Sequence, residues 1–397
     1  MQTSKLLILI TVILMDLLTG MEFDLFVPSF PQLQNDFQLT PFSVEALLSV
    51  NFIGYCLSLF FVGSLGDRYG RKPIILLGLS IFVIGSLCCL VIPHYYFLIV
   101  GRFLQGVGIA GPAILSFLII ADSYPIKEQQ FFMAILNGAI NFAVAISPVI
   151  GSYLTLYFHW QGNFVALLLL GLFVLFMSTI FIPHHQLKIN DVTSQERYIE
   201  IFKSKSLILL IITILFAFAP YWVFVGMSPL LYIKDLNVSL TQFGFYQGSL
   251  AFVFAIGSIL YGFIMRESTS NQKQMLNISL WILIMSLIAV IIVTLLNSHD
   301  PMIITLGFLP FIIGQIIPSV ILYPLAINFL PHSKASVSAI IQGAKLLLTA
   351  IGLQIAGFFY VGSFQNIGII LCGFILIAVI TMYAVIHNKE IMSKGLD

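Results

Sequence analysis

The stretch Asp16-Leu-Leu-Thr-Gly-Met-Glu22-Phe-Asp24-Leu-Phe-Val-Pro28 places three carboxylates inside an apolar run that is typical of a membrane-spanning helix, from 6 to about 30. The whole chain has only 16 acidic residues, so this concentration needs a physical reason. An ionisable side chain in hydrocarbon costs several kcal/mol and normally faces a bundle interior or a water-filled cavity. We therefore expect this stretch to handle protons or cationic cargo, and the other helices to control access to it.

The composition indicates that the bilayer is the solvent of this chain. Hydrophobic residues make up 59% of the 397 residues and charged residues only 8%, too few charges to cover the surface of a soluble protein of this size. The net charge of +1 argues against a nucleic-acid partner. The four cysteines lie in apolar runs without metal-ligand spacing, which predicts small buried side chains and neither a metal site nor a cofactor.

Continuous apolar runs of about twenty residues predict an all-α membrane protein with twelve spans rather than a β-barrel, whose strands alternate. The expected spans are 6–30, 44–65, 73–92, 96–121, 130–157, 162–182, 206–232, 242–264, 272–296, 301–329, 335–361 and 365–387. The longest loop lies at the midpoint. It divides the chain into an N-terminal six-helix half (1–183), a central loop (184–206) and a C-terminal six-helix half (207–397), an organisation that suggests a parallel repeat around a central cavity.

The lysines and arginines predict the orientation. If the N-terminus is cytoplasmic, fourteen of these residues fall in cytoplasmic segments, one falls on the opposite side (Lys234), and two lie inside spans (Arg102 and Lys345). Positive residues concentrate on the cytoplasmic side of membrane proteins. Both termini and the central loop are therefore predicted to be cytoplasmic.

The loop between spans two and three carries the most specific motif, Gly63-Ser-Leu-Gly66-Asp67-Arg68-Tyr-Gly70-Arg71-Lys72-Pro73. Glycines permit a tight turn between neighbouring helices, and proline suits the first turn of the next helix. A basic cytoplasmic turn that only fixes topology would not need this ordered set of glycines, an acid and three bases. The loop resembles the signature loop of the major facilitator superfamily.

Three further segments extend the resemblance. They are Gly101-Arg102-Phe-Leu-Gln105-Gly106-Val-Gly108, Ser147-Pro148-Val-Ile-Gly151-Ser152 and Asp24-Leu-Phe-Val-Pro28-Ser-Phe-Pro31. They are similar to the R-x-x-Q-G element of the superfamily, to the fifth-span G-P-x-x-G-G element of drug:proton antiporters with serines in place of its flanking glycines, and to the D-x-x-x-P-x-x-P of the Bcr/CflA subgroup. After residue 200 the resemblance rests on topology and a few positions.

The resemblance implies a set of residues that control the conformational switch: Gly63, Asp67, Arg68, Gly70, Arg71, Asp122, Pro148 and Gly151. Asp67 would cap the N-terminal end of a neighbouring helix, where an anion is favoured by the helix dipole. Arg71 would pair with Asp122 at the cytoplasmic end of span four, unless Asp122 is simply solvated. The resemblance also implies a bacterial inner-membrane protein that works as a monomer among membrane lipids.

Depth along the spans predicts the partner of Arg102. Asp24 lies roughly 27 Å from the cytoplasmic start of span one, and Arg102 lies roughly 9 Å inside span four from the opposite face, so both fall in the outer third of the membrane core. Arginine stays charged and needs a partner. Asp16 and Asp24 are about 80° apart around the helix, and Glu22 is about 160° from Asp24. We therefore expect Asp24 first and Asp16 second to carry the coupled proton, with Arg102 beside Asp24 and Glu22 facing another helix or lipid.

Lys345 lies near the middle of span eleven, where snorkelling to an interface is difficult. It is expected to face a cavity, and either to pair with Asp16 or to receive an anionic group of the cargo. Polar and aromatic residues of other spans are further candidates for substrate contacts, although some of them will only bond between helices. These candidates are Asn51, Tyr55, Asn137, Asn141, Tyr221, Trp222, Tyr246 and Gln342.

The function expected from these observations is proton-coupled transport of a small organic molecule, with drug:proton antiport (multidrug efflux, and so antibiotic resistance) in first place. A metabolite or siderophore transporter of the same fold, as exporter or symporter, is the alternative. A remote alternative is an intramembrane enzyme. No catalytic residue is proposed, because the histidines fall at span ends or loops and the three first-span acids share one helix.

Overall fold

The computed structural model describes residues 2–91, 93–123, 126–183, 201–267, 272–330 and 334–395, and its regular structure within these ranges is helical, without strands. The helices are α1 (Gln2–Asp24), a 3₁₀ turn (Val27–Ser29), α2 (Phe30–Asp36), α3 (Pro41–Tyr69), α4 (Arg71–Val91), α5 (Tyr95–Ser123), α6 (Ile126–Phe181), α7 (Lys205–Pro229) with a π-helical end (Leu230–Asp235), α8 (Leu240–Glu267), α9 (Gln272–Leu295), α10 (Pro301–Gly314), α11 (Ile316–Phe329), α12 (Lys334–Phe359), α13 (Phe364–His387) and α14 (Lys389–Gly395). The predicted all-α fold is confirmed.

Eleven helical stretches of the described ranges are long and apolar enough to cross a membrane. One of them, Gly138–Phe181, has 44 residues and contains His159 in a non-helical conformation with φ 59°. At 1.5 Å per residue it is about 66 Å long, twice the thickness of a membrane core. It therefore supplies two spans, which agrees with the predicted total of twelve. The turn at His159 is held by Trp160, whose Nε1 donates to Asp36 Oδ2 at 2.8 Å.

The first predicted span is wrong in one respect, because it is not a single helix to residue 30. Helix α1 ends at Asp24, and the chain continues through the 3₁₀ turn into α2. Pro28 has no N–H with which to bond the Asp24 carbonyl, and a proline also disfavours helical geometry in the residue before it. Asp24 thus lies at a helix end rather than within a helix.

The tenth predicted span is also interrupted. Helices α10 and α11 meet at Gln315, since Pro318 has no N–H for the carbonyl of Gly314. The Ser279 hydroxyl replaces that donor and bonds the Gly314 carbonyl at 2.7 Å. The freed carbonyl at the break is therefore hydrogen-bonded, and Gln315 is the residue between the two helices.

The chain forms two compact units, Met1–Asn190 with Ser239–Ala251, and Asp191–Val238 with Phe252–Asp397. We call them the first and second unit. In the first unit α5 packs against α3 and α4, and α1 packs against α6. In the second unit α13 packs against α7 and α9. The segment 239–251 belongs to the first unit although the sequence places it in the C-terminal half. The predicted halves stay a prediction, and residues 184–200 of the central loop lie outside the described ranges.

Candidate functional site

The interior of the first unit contains a buried ion pair between Glu22 of α1 and Arg102 of α5. Arg102 Nη1 lies 2.7 Å from Glu22 Oε1, and both side chains are 0% exposed. The guanidinium carbon also lies 4.0 Å from the centre of the Phe26 ring. Arginine suits such a site because its charge is permanent and its planar group stacks on aromatic rings.

Polar side chains of four helices form what we call the Arg102 network: Glu22, Asn51, Ser86, Arg102 and Gln105. Arg102 Nη1 donates to Gln105 Oε1 at 2.7 Å, and Gln105 Nε2 donates to Ser86 Oγ at 2.8 Å. Asn51 Nδ2 donates to Glu22 Oε1 at 2.6 Å and to the Arg102 carbonyl at 3.0 Å. A charge in a low-dielectric interior is tolerated when it is paired and hydrogen-bonded in this way.

Close contact between helices α3 and α5 brings the network together. A Cβ added at Gly106 would lie 2.1 Å from the backbone oxygen of Asn51, and one added at Gly54 would lie 2.5 Å from the backbone oxygen of Phe103. Only glycine fits at such a crossing, as is usual for helices that pack in membranes. The Arg102-Phe-Leu-Gln105-Gly106 element therefore supplies the charge, its polar support and the helix contact that places Asn51 beside it.

The expected pairing of Asp24 with Arg102 is wrong, because Glu22 is the partner of Arg102 in the structure. Glu22 does face another helix, one of the two expected surroundings, and what it contacts there is the charge of Arg102 on α5. Asp24 is fully buried, and neither of its carboxylate oxygens has a hydrogen-bond partner among the described residues. The two side chains point in different directions because two residues correspond to about 200° around a helix. Depth along the span could not resolve which of them reaches Arg102.

Asp24 lies beside the contact between α1 and α6. A Cβ added at Gly151 of α6 would lie 2.0 Å from the carbonyl oxygen of Leu25 and 3.3 Å from Pro28 Cγ. The first-span and fifth-span elements that the sequence singles out therefore meet in space. Asp24 precedes Leu25 at this contact and is buried there.

Two other carboxylates are fully buried in the first unit. Asp16 accepts a hydrogen bond from Ser116 Oγ at 2.9 Å through one oxygen, and its other oxygen has no described partner. Glu45, in the second turn of α3, has no described hydrogen-bond partner for either oxygen. The sequence analysis did not single out Glu45. Its signal was an acid just inside the predicted span 44–65.

The second unit contains a cavity of about 200 Å³ to which Lys345 of α12 contributes. Its polar lining residues are Gln315, Ser319, Tyr323, Gln342 and Lys345, and its apolar ones are Ile214, Ala217, Phe218, Phe254 and Pro318. Lys345 Nζ lies 4.3 Å from the centre of the Phe218 ring and 5.8 Å from that of Tyr323. Lys345 and Gln342 thus line a cavity together. The suggested pairing of Lys345 with Asp16 joins residues of different units and stays a prediction.

The other candidate substrate residues are dispersed. Asn51 is fully buried in the Arg102 network, and the Tyr55 ring lies edge-on to Phe23 at 5.6 Å. Tyr221 and Trp222 of α7 are buried, with ring centres 5.5 Å apart. Asn141 and Tyr246 are half-buried. The side chain of Asn137 lies outside the described part of the structure, and the substrate role of all these residues stays a prediction.

The predicted switch residues near the signature loop are described in part. Gly70 ends α3 with φ 92°, a conformation that favours glycine. Arg71 is buried beside Gly66, whose added Cβ would lie 3.3 Å from an Arg71 guanidinium nitrogen, and Arg68 is exposed and lies 5.3 Å from the ring of its neighbour Tyr69. Gly63 has open space around it.

The remaining switch residues either meet the first span or fall outside the description. Pro148, like Gly151, lies buried in α6. The side chains of Asp67 and Asp122 lie outside the described part, so the cap and the ion pair expected of them stay predictions. Among the described side chains, no group of three or more metal-ligating residues occurs.

A family model and several known proteins match this chain. The family model described as Major Facilitator Superfamily matches residues 12–353. A bicyclomycin resistance protein homolog of Haemophilus influenzae is 27% identical over 326 residues, covering 79% of this chain and 77% of that protein. The multidrug resistance protein MdtL of Escherichia coli is 29% identical over 155 residues, covering 39% of this chain and 40% of that protein.

Solved structures show the same fold at low identity. A D-xylose-proton symporter superposes with a TM-score of 0.75 at 14% identity, covering 95% of this chain and 97% of that one. A bacterial homolog of the human lysosomal transporter Spinster, in an inward-facing and unoccupied conformation, also gives a TM-score of 0.75 at 14% identity, covering 100% of this chain and 99% of that one.

Proposed function

Because the chain belongs to the major facilitator superfamily of transporters, we propose that it exports small organic molecules in exchange for protons. The protein is a multi-pass membrane protein with helical spans. Its similarity to a bicyclomycin resistance protein homolog and to a multidrug resistance protein supports drug:proton antiport. We place it in a bacterial inner membrane as a monomer with both termini in the cytoplasm, the orientation that its lysines and arginines favour.

The observation that carries this proposal is the contrast between Glu22 and Asp24. Glu22 lies against Arg102, while Asp24, two residues away and fully buried, has no described partner. An ionised carboxylate without a partner in a dry interior is costly, so a proton is the simplest counter-ion for Asp24. Asp24 therefore holds the exchangeable proton, and Glu22 with Arg102 forms the fixed charge pair beside it.

Release of that proton changes the charge balance at the end of α1. The new anion at Asp24 lies next to Glu22 in the chain, and Arg102 Nη2 has no described hydrogen-bond partner. Arg102 therefore has a donor available for a second carboxylate, which Asp24 reaches by a rotation of the α1 end. This rotation disturbs the contact of Leu25 with Gly151. The loss of the proton from Asp24 therefore changes the packing of α1 against α6.

Asp16 has a secondary role in this mechanism. It lies one and a half to two turns before Glu22 on α1. Its bond to Ser116 gives it a partner in α5. A carboxylate with a retained hydrogen bond loses less when it is ionised than one with none. Asp16 is thus available to a cationic cargo group or to a proton that leaves Asp24.

The membrane potential supplies enough energy for this proton-coupled mechanism. A proton that moves down a potential of 100 mV supplies about 2.3 kcal/mol, and rocking of two halves around a fixed site converts this energy into a cargo gradient. Glu22, Asp24 and Asp16 all lie on α1, which contacts both α5 and α6. A change in the protonation of these acids can therefore affect both helices.

The test uses Asp24→Asn in inverted membrane vesicles with a pH-sensitive dye. We expect a drop of at least tenfold in drug-dependent proton release, because asparagine cannot exchange a proton. Asp36→Asn is the matched control, since Asp36 is 41% exposed and an asparagine oxygen can still accept the Trp160 bond. Undiminished antiport in the Asp24→Asn variant would remove Asp24 from the mechanism.

The same assay addresses the metabolite or siderophore alternative. Vesicles without an imposed gradient receive a cationic dye, a neutral antibiotic, a dipeptide or a siderophore. Protons that leave the vesicles as cargo enters indicate antiport, and protons that enter with the cargo indicate symport. Hydrolysis of any of these compounds by the purified protein would instead support the intramembrane enzyme.

A further inference from the structure

The cavity of the second unit contains a positive charge that no described acid of that unit balances. Lys345 lines it, and the lining residues within the described ranges include no carboxylate. The described contacts of the ammonium group are the rings of Phe218 and Tyr323. An aromatic ring stabilises a cation above it, but it does not replace the hydration that an intramembrane ammonium group loses. The site therefore favours an added anion.

Two amides beside Lys345 are also available to a ligand. Gln342 precedes Lys345 by three residues on α12, so the two side chains share one face of the helix. Gln315 lies at the break between α10 and α11 that Pro318 causes. Neither amide has a hydrogen bond among the described residues of the unit, and both line the cavity. Two amide N–H donors and an ammonium group thus converge on one space, and all three can donate to a carboxylate.

The rest of the cavity wall is apolar. Phe218 and Phe254 supply rings, and Ile214, Ala217 and Pro318 supply aliphatic surface. Small-molecule sites are usually of this kind, with an apolar wall and a few placed polar groups that fix orientation. A volume of about 200 Å³ accommodates a compact ring system rather than a peptide or a lipid with two acyl chains.

We propose that this cavity binds an amphipathic organic anion, a carboxylate attached to an aromatic or aliphatic body, with the carboxylate on Lys345, Gln342 and Gln315. The proposal rests on the proposed function, since it makes the cavity part of the transport route. A cationic cargo is disfavoured there by Lys345 itself. The cargo's body replaces the Lys345 contact with Phe218 by stacking on the same ring.

The binding test uses three probes that share one ring system: 2-naphthoate, 2-naphthamide and 2-naphthylmethylammonium. The purified full-length protein is reconstituted in nanodiscs of phosphatidylcholine, and binding is measured by calorimetry without a proton gradient. We expect naphthoate to bind at least tenfold more tightly than either other probe. Lys345→Met abolishes that preference and Lys345→Arg keeps most of it, while Lys389→Met, an exposed lysine on α14, leaves it unchanged.

Several results would overturn the proposal. Equal affinity for naphthoate and naphthamide removes the anion preference, and a preference that survives in Lys345→Met removes Lys345 from the site. A preference that disappears when anionic phosphatidylglycerol replaces the neutral lipid assigns the site to lipid headgroups. Restoration of naphthoate binding to Lys345→Met by Asp16→Asn shows that Lys345 serves Asp16 rather than cargo.

The test of the anion site and the test of proton antiport can fail independently of each other. Lys345-dependent binding of naphthoate without proton-coupled transport of any cargo contradicts antiport and leaves the anion site in place. Proton release on addition of a cationic dye, with no binding of naphthoate, contradicts the anion site and leaves antiport in place.

Discussion

The two units treat buried charge differently. In the first unit Arg102 is fully buried but lies against Glu22 and within hydrogen-bond distance of Gln105, so its charge is compensated. In the second unit Lys345 faces aromatic rings and amides, and none of the carboxylates described in that unit pairs with it. The fully buried acids of the described chain, Asp16, Glu22, Asp24 and Glu45, all belong to the first unit.

This difference suggests a division of labour. The first unit has an ion pair and, besides it, buried carboxylates without a described cationic partner. This arrangement suits a site that exchanges protons, because such a carboxylate can gain or lose a proton while the ion pair remains. The Lys345 charge in the cavity of the second unit, without a described carboxylate partner, suits a site that binds an anionic ligand. The comparison therefore predicts that charge removal destabilises the first unit and leaves the second unit folded.

The largest expected effect comes from Arg102→Met. Removal of one partner of a buried pair leaves the other charge uncompensated and costs about 3–5 kcal/mol of the free energy of unfolding. Thermal unfolding of the detergent-purified protein, followed by tryptophan fluorescence, should show a marked loss. The double variant Arg102→Met with Glu22→Gln should recover part of it, because glutamine carries no charge.

Lys345→Met is the matched comparison for stability, since it removes a cation without leaving any described carboxylate of its unit unpaired. Its unfolding temperature should equal or exceed that of the wild type. If Arg102→Met is as stable as Lys345→Met, the contrast between the two units is wrong.

A smaller effect is expected from Gly106→Ala, which tests the geometry of the Arg102 network rather than its charge. The added Cβ would lie 2.1 Å from the Asn51 backbone oxygen, so α3 and α5 must separate. Overpacking of this kind costs about 1–3 kcal/mol. The same unfolding assay measures it, and Gly373→Ala on α13, where nothing lies within 4 Å of the added atom, is the control. Equal stability of the two variants would show that the helix crossing is not tight.

The sequence was sufficient for the fold and for the kinds of residue at the candidate site. Apolar runs predicted the spans, and intramembrane charge predicted that Arg102 has an acidic partner on the first span and that Lys345 lines a cavity. It was not sufficient to choose Glu22 over Asp24. That choice depends on rotation about the helix axis and on where α1 ends, and Pro28 acts on both.

Other features depend on tertiary contacts that no local pattern encodes. The break at Gln315 is satisfied by the hydroxyl of Ser279, on another helix and 35 residues away from Gly314. Glu45 was missed because an acid near the start of a span looks like an interfacial residue until neighbouring helices cover it. Its burial is a property of packing, not of sequence position.

The smallest expected effect sharpens the comparison within the first unit, where Glu22 and Glu45 are both fully buried but only Glu22 has a described cationic partner. Glu45→Gln exchanges an acid for an amide of the same shape, and a neutral acid in a dry site differs little from an amide. We expect its free energy of unfolding to change by less than about 0.5 kcal/mol, within the range of substitutions that break no paired group. Glu22→Gln deprives Arg102 of its counter-charge and should cost several times more. Urea unfolding of both variants measures the difference, and a large loss in Glu45→Gln would show that Glu45 is ionised against a cation, so that the first unit would contain two compensated pairs rather than one pair and a neutral acid.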